Sequence, residues 1–234
     1  MNFVTDNPAL PSMAWIAYAL RGMWMVVLLM LLCRLTTRWT PKRQVIAAAL
    51  LLLWCALPGA YSPAYWLGLA FMHPSWMTVA LSASWLYAHL AGSAQRQPVS
   101  HSLLLAQRGL LLLALLGGWI LLADMLAWLP ITQSIYFLGF SSWAVLLVSV
   151  AAVLPWLVWG TQLLQTQPGG VSPLALPLLV LTAFVFTRLP SGNVWDALLD
   201  PWLWMVLHGV AIHRMIDVLK RYYSERKHTK LDKP

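Results

Sequence analysis

The chain has 234 residues, 60% of them apolar and only 9% charged, at a mean hydropathy of +0.70. A soluble domain carries about 25% charged residues, so the composition excludes a water-soluble globule and implies one all-α membrane domain. The formal net charge is +8, from 15 Lys+Arg against 7 Asp+Glu; in a polytopic chain that excess sets topology and does not point to nucleic acid.

The first eleven residues contain neither Lys nor Arg. The basic start of a cleavable signal is missing, and a native N-terminus is expected. Spanning helices are then expected over about 12–34, 43–60, 75–92, 103–129, 137–163, 173–189 and 200–220, each an apolar run near the length that crosses a bilayer. Residues 62–74, SPAYWLGLAFMHP, form a proline-bounded piece between the second and third. It reads as interfacial, or as a re-entrant half-helix pair that would raise seven spans to nine. Residues 1–220 make a single transmembrane domain and 221–234 a basic cytoplasmic tail.

Charge orients this bundle. With connections assigned alternately to the two sides, one side collects Arg34, Arg38, Lys42, Arg43, Arg96, Arg108, Arg214, Lys220, Arg221, Arg226, Lys227, Lys230 and Lys233. The other collects Arg188 with Asp6, Asp196 and Asp200. Basic residues face the cytoplasm, so the N-terminus is expected outside, the C-terminus inside, in a bacterial inner membrane. Of the 15 tryptophans, Trp15, Trp66, Trp76, Trp128, Trp143, Trp195, Trp202 and Trp204 fall near the expected outer surface. Indole favours the half-wet headgroup layer, so these read as an aromatic belt or as an outer docking surface.

Three outer turns begin Leu-Pro and rise again through aromatic residues: 57–79, 129–148 and 189–207. Proline ends each descending helix, and Asp200 before Pro201 has the form of an N-cap. Spans 2–3, 4–5 and 6–7 are therefore expected to form three similar hairpins, with span 1 added.

No G-x-S-x-G, H-E-x-x-H, C-x-x-C or P-loop signature occurs. No catalytic residue, metal site or cofactor is assigned. The informative side chains are the charged and polar ones inside spans. Arg21, Asp124 and His208 lie about 13, 9 and 12 Å below the outer ends of spans 1, 4 and 7 at 1.5 Å per residue. An intramembrane charge costs roughly 2.5–3.5 kcal/mol on insertion scales, so pairing is the expected remedy. Arg21 and Asp124 would bridge spans 1 and 4, unless Arg21 extends to the headgroups. With His208 they could instead form an outward-facing polar pocket.

His89 and His213 fall at matched depth, near 20 Å from the outer surface, and are weak candidates for ligating a b-type haem. His73, Met72 and Met77 at the outer rim are a weaker candidate for copper. Cys33 and Cys55 are expected at opposite ends of neighbouring helices, too far apart to bridge. In the tail, Asp217, Arg221 and Glu225 are spaced i, i+4 on a helix, giving a collar on anionic lipid or a docking helix.

These features leave two main function classes. One is a non-catalytic subunit of a larger membrane assembly of secretion, conjugation or envelope-biogenesis type, with the lipid bilayer and other membrane-protein subunits as partners. The other is a small-molecule or lipid transporter using the Arg21, Asp124 and His208 region. A membrane enzyme or b-haem protein is a remote third.

Overall fold

A computed structural model describes residues 12–91, 101–159 and 175–231. The described chain is all-helical, with no strand. Helix α1 (Met13–Leu35) is capped by Ser12, whose Oγ accepts from the Trp15 N–H at 3.4 Å, and ends at Thr36. Helix α2 (Pro41–Ala56) starts on proline, whose missing N–H is harmless in a first turn. Gln44 of α2 donates to the Thr36 carbonyl at 2.6 Å and fixes the turn between the two helices. Pro58 prevents α2 from continuing.

A single 3-10 turn (Gly59–Tyr61) leads into α3 (Pro63–Phe71). The buried Ser62 hydroxyl donates back to the Cys55 carbonyl at 2.8 Å, tying the start of α3 to the end of α2. The chain reverses at Met72, with φ +60°, whose carbonyl accepts from the Trp24 indole at 3.1 Å. Segment 62–74 is thus one helix of nine residues, about 13 Å long and too short to cross a hydrocarbon core of about 30 Å. It lies against α1, where Ala64 packs on Trp24 and Val27.

The chain continues through α4 (Trp76–Leu90), α5 (His101–Met125), α6 (Ile135–Leu138), α7 (Ser142–Trp159), α8 (Ala175–Thr187), α9 (Val194–Leu198) and α10 (Pro201–Leu231). Within the described residues, α1, the Arg108–Met125 part of α5 and the Pro201–Lys220 part of α10 are long and apolar enough to span a membrane. The apolar stretches Ser142–Leu154 and Ala175–Thr187 are shorter.

Packing follows an order that the chain order does not give. Helix α1 lies between α2 and α4, α4 packs next on α8, and α8 on α7. Leu20 and Met23 of α1 meet Val79 of α4. Ala144 and Ala152 of α7 meet Leu181 and Phe184 of α8, with Val194 and Ala197 of α9 closing the cluster. Trp76 packs on both clusters and joins them. Helices α5 and α10 form a separate pair. The expected sequential hairpins are therefore not the packing units. The three Leu-Pro turns do share a design, since each carries a short helix (α3, α6 or α9) between two long ones. In each case, however, the long helices so joined pack mainly on other partners.

Candidate functional site

The polar side chains gather where the three connectors meet. Asp200 is buried, 5% exposed, and accepts at both carboxylate oxygens. Oδ1 takes the Leu203 N–H at 2.7 Å and so caps α10. Oδ2 takes the Ser75 N–H at 2.7 Å and the Thr78 hydroxyl, both at the start of α4. Ser75 in turn caps α4 by accepting from the Thr78 N–H at 3.1 Å. Two helix N-termini thus converge on one carboxylate. The N-cap expected of Asp200 is present; its cross-link to α4, 125 residues away, has no local signature.

A second network latches the α5–α7 connector to the α8–α10 connector. Asp124 Oδ2 accepts from the Ser134 hydroxyl at 2.7 Å and the Tyr136 N–H at 2.8 Å. The Tyr136 hydroxyl donates to Asp196 at 2.8 Å, and Ser191 donates to the same oxygen. The wholly buried Asn193 donates to the Tyr136 carbonyl at 2.9 Å and caps α9 by accepting from the Trp195 N–H at 2.9 Å. The Trp195 indole donates to the Ile135 carbonyl at 3.0 Å, and the Val194 N–H to the Gly139 carbonyl at 2.9 Å. Burial, and then the Asp196 carboxylate beside it, push the Tyr136 phenol up to about 12. A Cβ at Gly139 would collide with Asn193 and Trp195, so the two turns can approach only with glycine there.

A third set joins α5 to α10. The Trp119 indole donates to His208 Nε2 at 3.1 Å, and His208 Nδ1 lies 2.8 Å from the Trp204 carbonyl. Indole only donates and a carbonyl only accepts, so the geometry requires the neutral tautomer with the proton on Nδ1. The Trp204 indole donates to the Leu115 carbonyl at 3.2 Å, and a Cβ at Gly118 would strike that ring.

Between the α5–α10 pair and the layer of α4, α7 and α8 runs a cavity of about 440 Å³. Leu113, Ala114 and Gly117 of α5, Ala151 of α7 and Leu203 of α10 are among the residues that line it, with Trp195, Leu198 and Leu199 at one end. Among the described residues in its wall Arg214 is the one that is charged. Leu113 is 65% exposed, so the cavity opens sideways.

The residues expected to form a polar cluster are therefore dispersed. Arg21 lies over the Tyr18 ring, 5.9 Å from its centroid, while Asp124 is held by its own connector and His208 by two tryptophans. The Arg21–Asp124 bridge is not formed; among the described residues the acid–base contact within 4 Å is that of His213 Nε2 with Asp217, at 3.5 Å within α10, an ion pair only when the imidazole is protonated. Depth arithmetic gave each charge a height but not the side of the helix it faces. His89 stacks on Trp85, with ring centroids 5.0 Å apart, and no hydrogen bond or ring contact joins it to His213.

The rim group also diverges. Met77 lines the cavity, Met72 is 74% exposed, and His73 packs against Gly68. Burial lowers the His73 pKa and leaves its Nδ1 without a partner. Among the described residues no group of three or more His, Cys, Asp or Glu could hold a metal ion. Cys33 near the end of α1 and Cys55 near the end of α2 are both buried free thiols. Arg96 and the connection 164–172 lie outside the described residues.

Comparison of the chain with protein-family models, with curated proteins and with solved structures gives no match.

Proposed function

We propose that the protein is a non-catalytic integral subunit of a larger assembly in a bacterial inner membrane, of secretion, conjugation or envelope-biogenesis type. It spans seven times, N-terminus outside and C-terminus in the cytoplasm. The observation that carries this reading is α10. It runs unbroken for 31 residues, about 46 Å, against a hydrocarbon core of about 30 Å. Eleven residues follow the span that ends at Lys220, and they extend it as a basic helix about 16 Å beyond the membrane. The use of the connector polar groups in capping and latching supports a structural role over a catalytic one.

The test is purification of the tagged full chain in mild detergent, beside a chain ending at Lys220. A stoichiometric membrane-protein partner with the first and its loss with the second support the reading. A monodisperse monomer or homodimer from both overturns it. A reporter fused to the C-terminus should be active only in cytoplasmic form, and periplasmic activity would reverse the topology.

The transporter reading keeps one specific support, the cavity. Its apolar wall favours a lipid over a polar solute, and Arg21, Asp124 and His208 each have separate partners outside it.

A further inference from the structure

The cavity differs from an ordinary lipid-facing groove in the way it ends. Its wall is apolar from Leu199 and Leu203 along α10 to Arg214. From Leu203 to Arg214 is about 16 Å along the helix, close to half of a hydrocarbon core of about 30 Å. Within the span Pro201–Lys220 that stretch starts near the outer end and reaches past the bilayer midplane, so an acyl chain in the slot lies along most of the depth of the core.

A second arginine stands at the same level. Trp119 of α5 meets Trp204 of the antiparallel α10 at a ring separation of 5.1 Å. Following that register to the other end of the pair brings exposed Arg108 of α5 to about the level of Met215, next to Arg214. Arg214 in the slot wall, with a second guanidinium at its level, matches a phosphodiester, whose oxygens accept paired N–H donors.

Glycine shapes the slot. Gly118 allows the Trp204 ring to lie against α5, whereas a Cβ on neighbouring Gly117 would meet nothing within 4 Å. One glycine thus sets the helix contact and the other opens the space beside it.

We infer that this cavity is a binding site for one anionic glycerophospholipid, with an acyl chain between α5, α7 and α10 and its phosphodiester at Arg214 and Arg108. The lipid comes from the leaflet on the basic side of the protein. The site is independent of the subunit reading, because co-purification of a partner judges that reading and lipid retention judges this one.

The test is native mass spectrometry of the full chain in mild detergent, with dioleoyl phosphatidylglycerol and dioleoyl phosphatidylcholine as probes. One phosphatidylglycerol per chain should be retained in preference to phosphatidylcholine, by about fivefold for each arginine, the equivalent of about 1 kcal/mol per basic residue near an anionic surface. R214Q should lower that preference about fivefold, and G117L should reduce retention of both lipids. Equal retention of the two lipids by the wild-type chain, or a preference unchanged in R214Q, overturns the headgroup assignment. As a readout that depends on no variant, a phosphatidylglycerol with a diazirine at the chain end should label Ala114, Leu203 and their neighbours in the wild-type protein. Labelling confined to the lipid-facing Leu112 and Leu116 overturns the cavity assignment.

Discussion

The Asp200 carboxylate and the Ser75 N–H, 2.7 Å apart, join the starts of α10 and α4. Among the described residues Asp200 has no basic partner; three donors from two helix ends satisfy it. Replacing it with alanine leaves the buried Ser75 and Leu203 N–H groups without acceptors. Hydrogen bonds to a charged group contribute about 1.5–3 kcal/mol and a lost cap costs about 1 kcal/mol. D200A should therefore lower stability by roughly 3 kcal/mol, and D200N by less, since the amide oxygen retains one acceptor site. Reversible unfolding in mixed micelles measures both, and a D200A loss below that of D200N would sink the account.

The α5–α10 contact makes a narrower claim. Trp119 and His208 share one hydrogen bond in a span, where double-mutant cycles give about 0.6 kcal/mol on average and up to about 1.7. Trp119→Phe and His208→Ala should show a coupling in that range. If their effects simply add, the bond contributes nothing to the pairing of the helices.

Three glycines should respond differently to the same added methyl group. At Gly118 it meets Trp204, at Gly139 it meets Asn193 and Trp195, and at Gly117 it meets open space. Overpacking typically costs about 1–3 kcal/mol. G118A and G139A should lose that much stability, while G117A should be unchanged or slightly stabilised because alanine is the better helix former. Thermal unfolding of the three variants side by side decides it.

Tyr136 gives a pH dependence. Its phenol is pushed up to about 12 from an ordinary value of 10, so between those values the folded state holds a proton that the unfolded state has released. The resulting stabilisation is complete below pH 10 and is lost as pH rises through 12. Y136F should be less stable than the wild-type chain at pH 8–9, and the gap should close between pH 10 and 12. A gap that stays constant across that window would show that the Tyr136–Asp196 bond does not couple to ionisation.

How much of this was legible in the sequence depends on how far each feature reaches along the chain. The Asp200 cap was readable because a cap needs only the next few residues, and Asp-Pro states it. The recurring Leu-Pro turns were readable for the same reason. The short helices α6 and α9 were not, because four or five residues give no usable period. Asn193 was not singled out, and its hold on Tyr136, 57 residues away, has no local signature. The order α2, α1, α4, α8, α7 was hidden because apolar helices in a membrane carry no amphipathic stripe to say which face meets protein and which meets lipid.

The same limitation explains Arg21 and Asp124, and it yields the last prediction. Matched depth made them the clearest opposite charges for a bridge. The structure instead gives Asp124 two donors from its own connector, the Ser134 hydroxyl and the Tyr136 N–H, and sets Arg21 on α1 over Tyr18. A bridge would make either single alanine variant expose an uncompensated charge, and the double variant would recover. Without a bridge the two sites have no shared partner, and effects of such sites add within about 0.3–0.5 kcal/mol. D124A should destabilise by loosening the turn before α6, and S134A should show part of the same loss. R21A should leave that turn unaffected, and the R21A/D124A protein should be as unstable as the two single losses combined. Unfolding of the four proteins in one detergent measures the coupling directly, and a double variant more stable than D124A alone would restore the bridge.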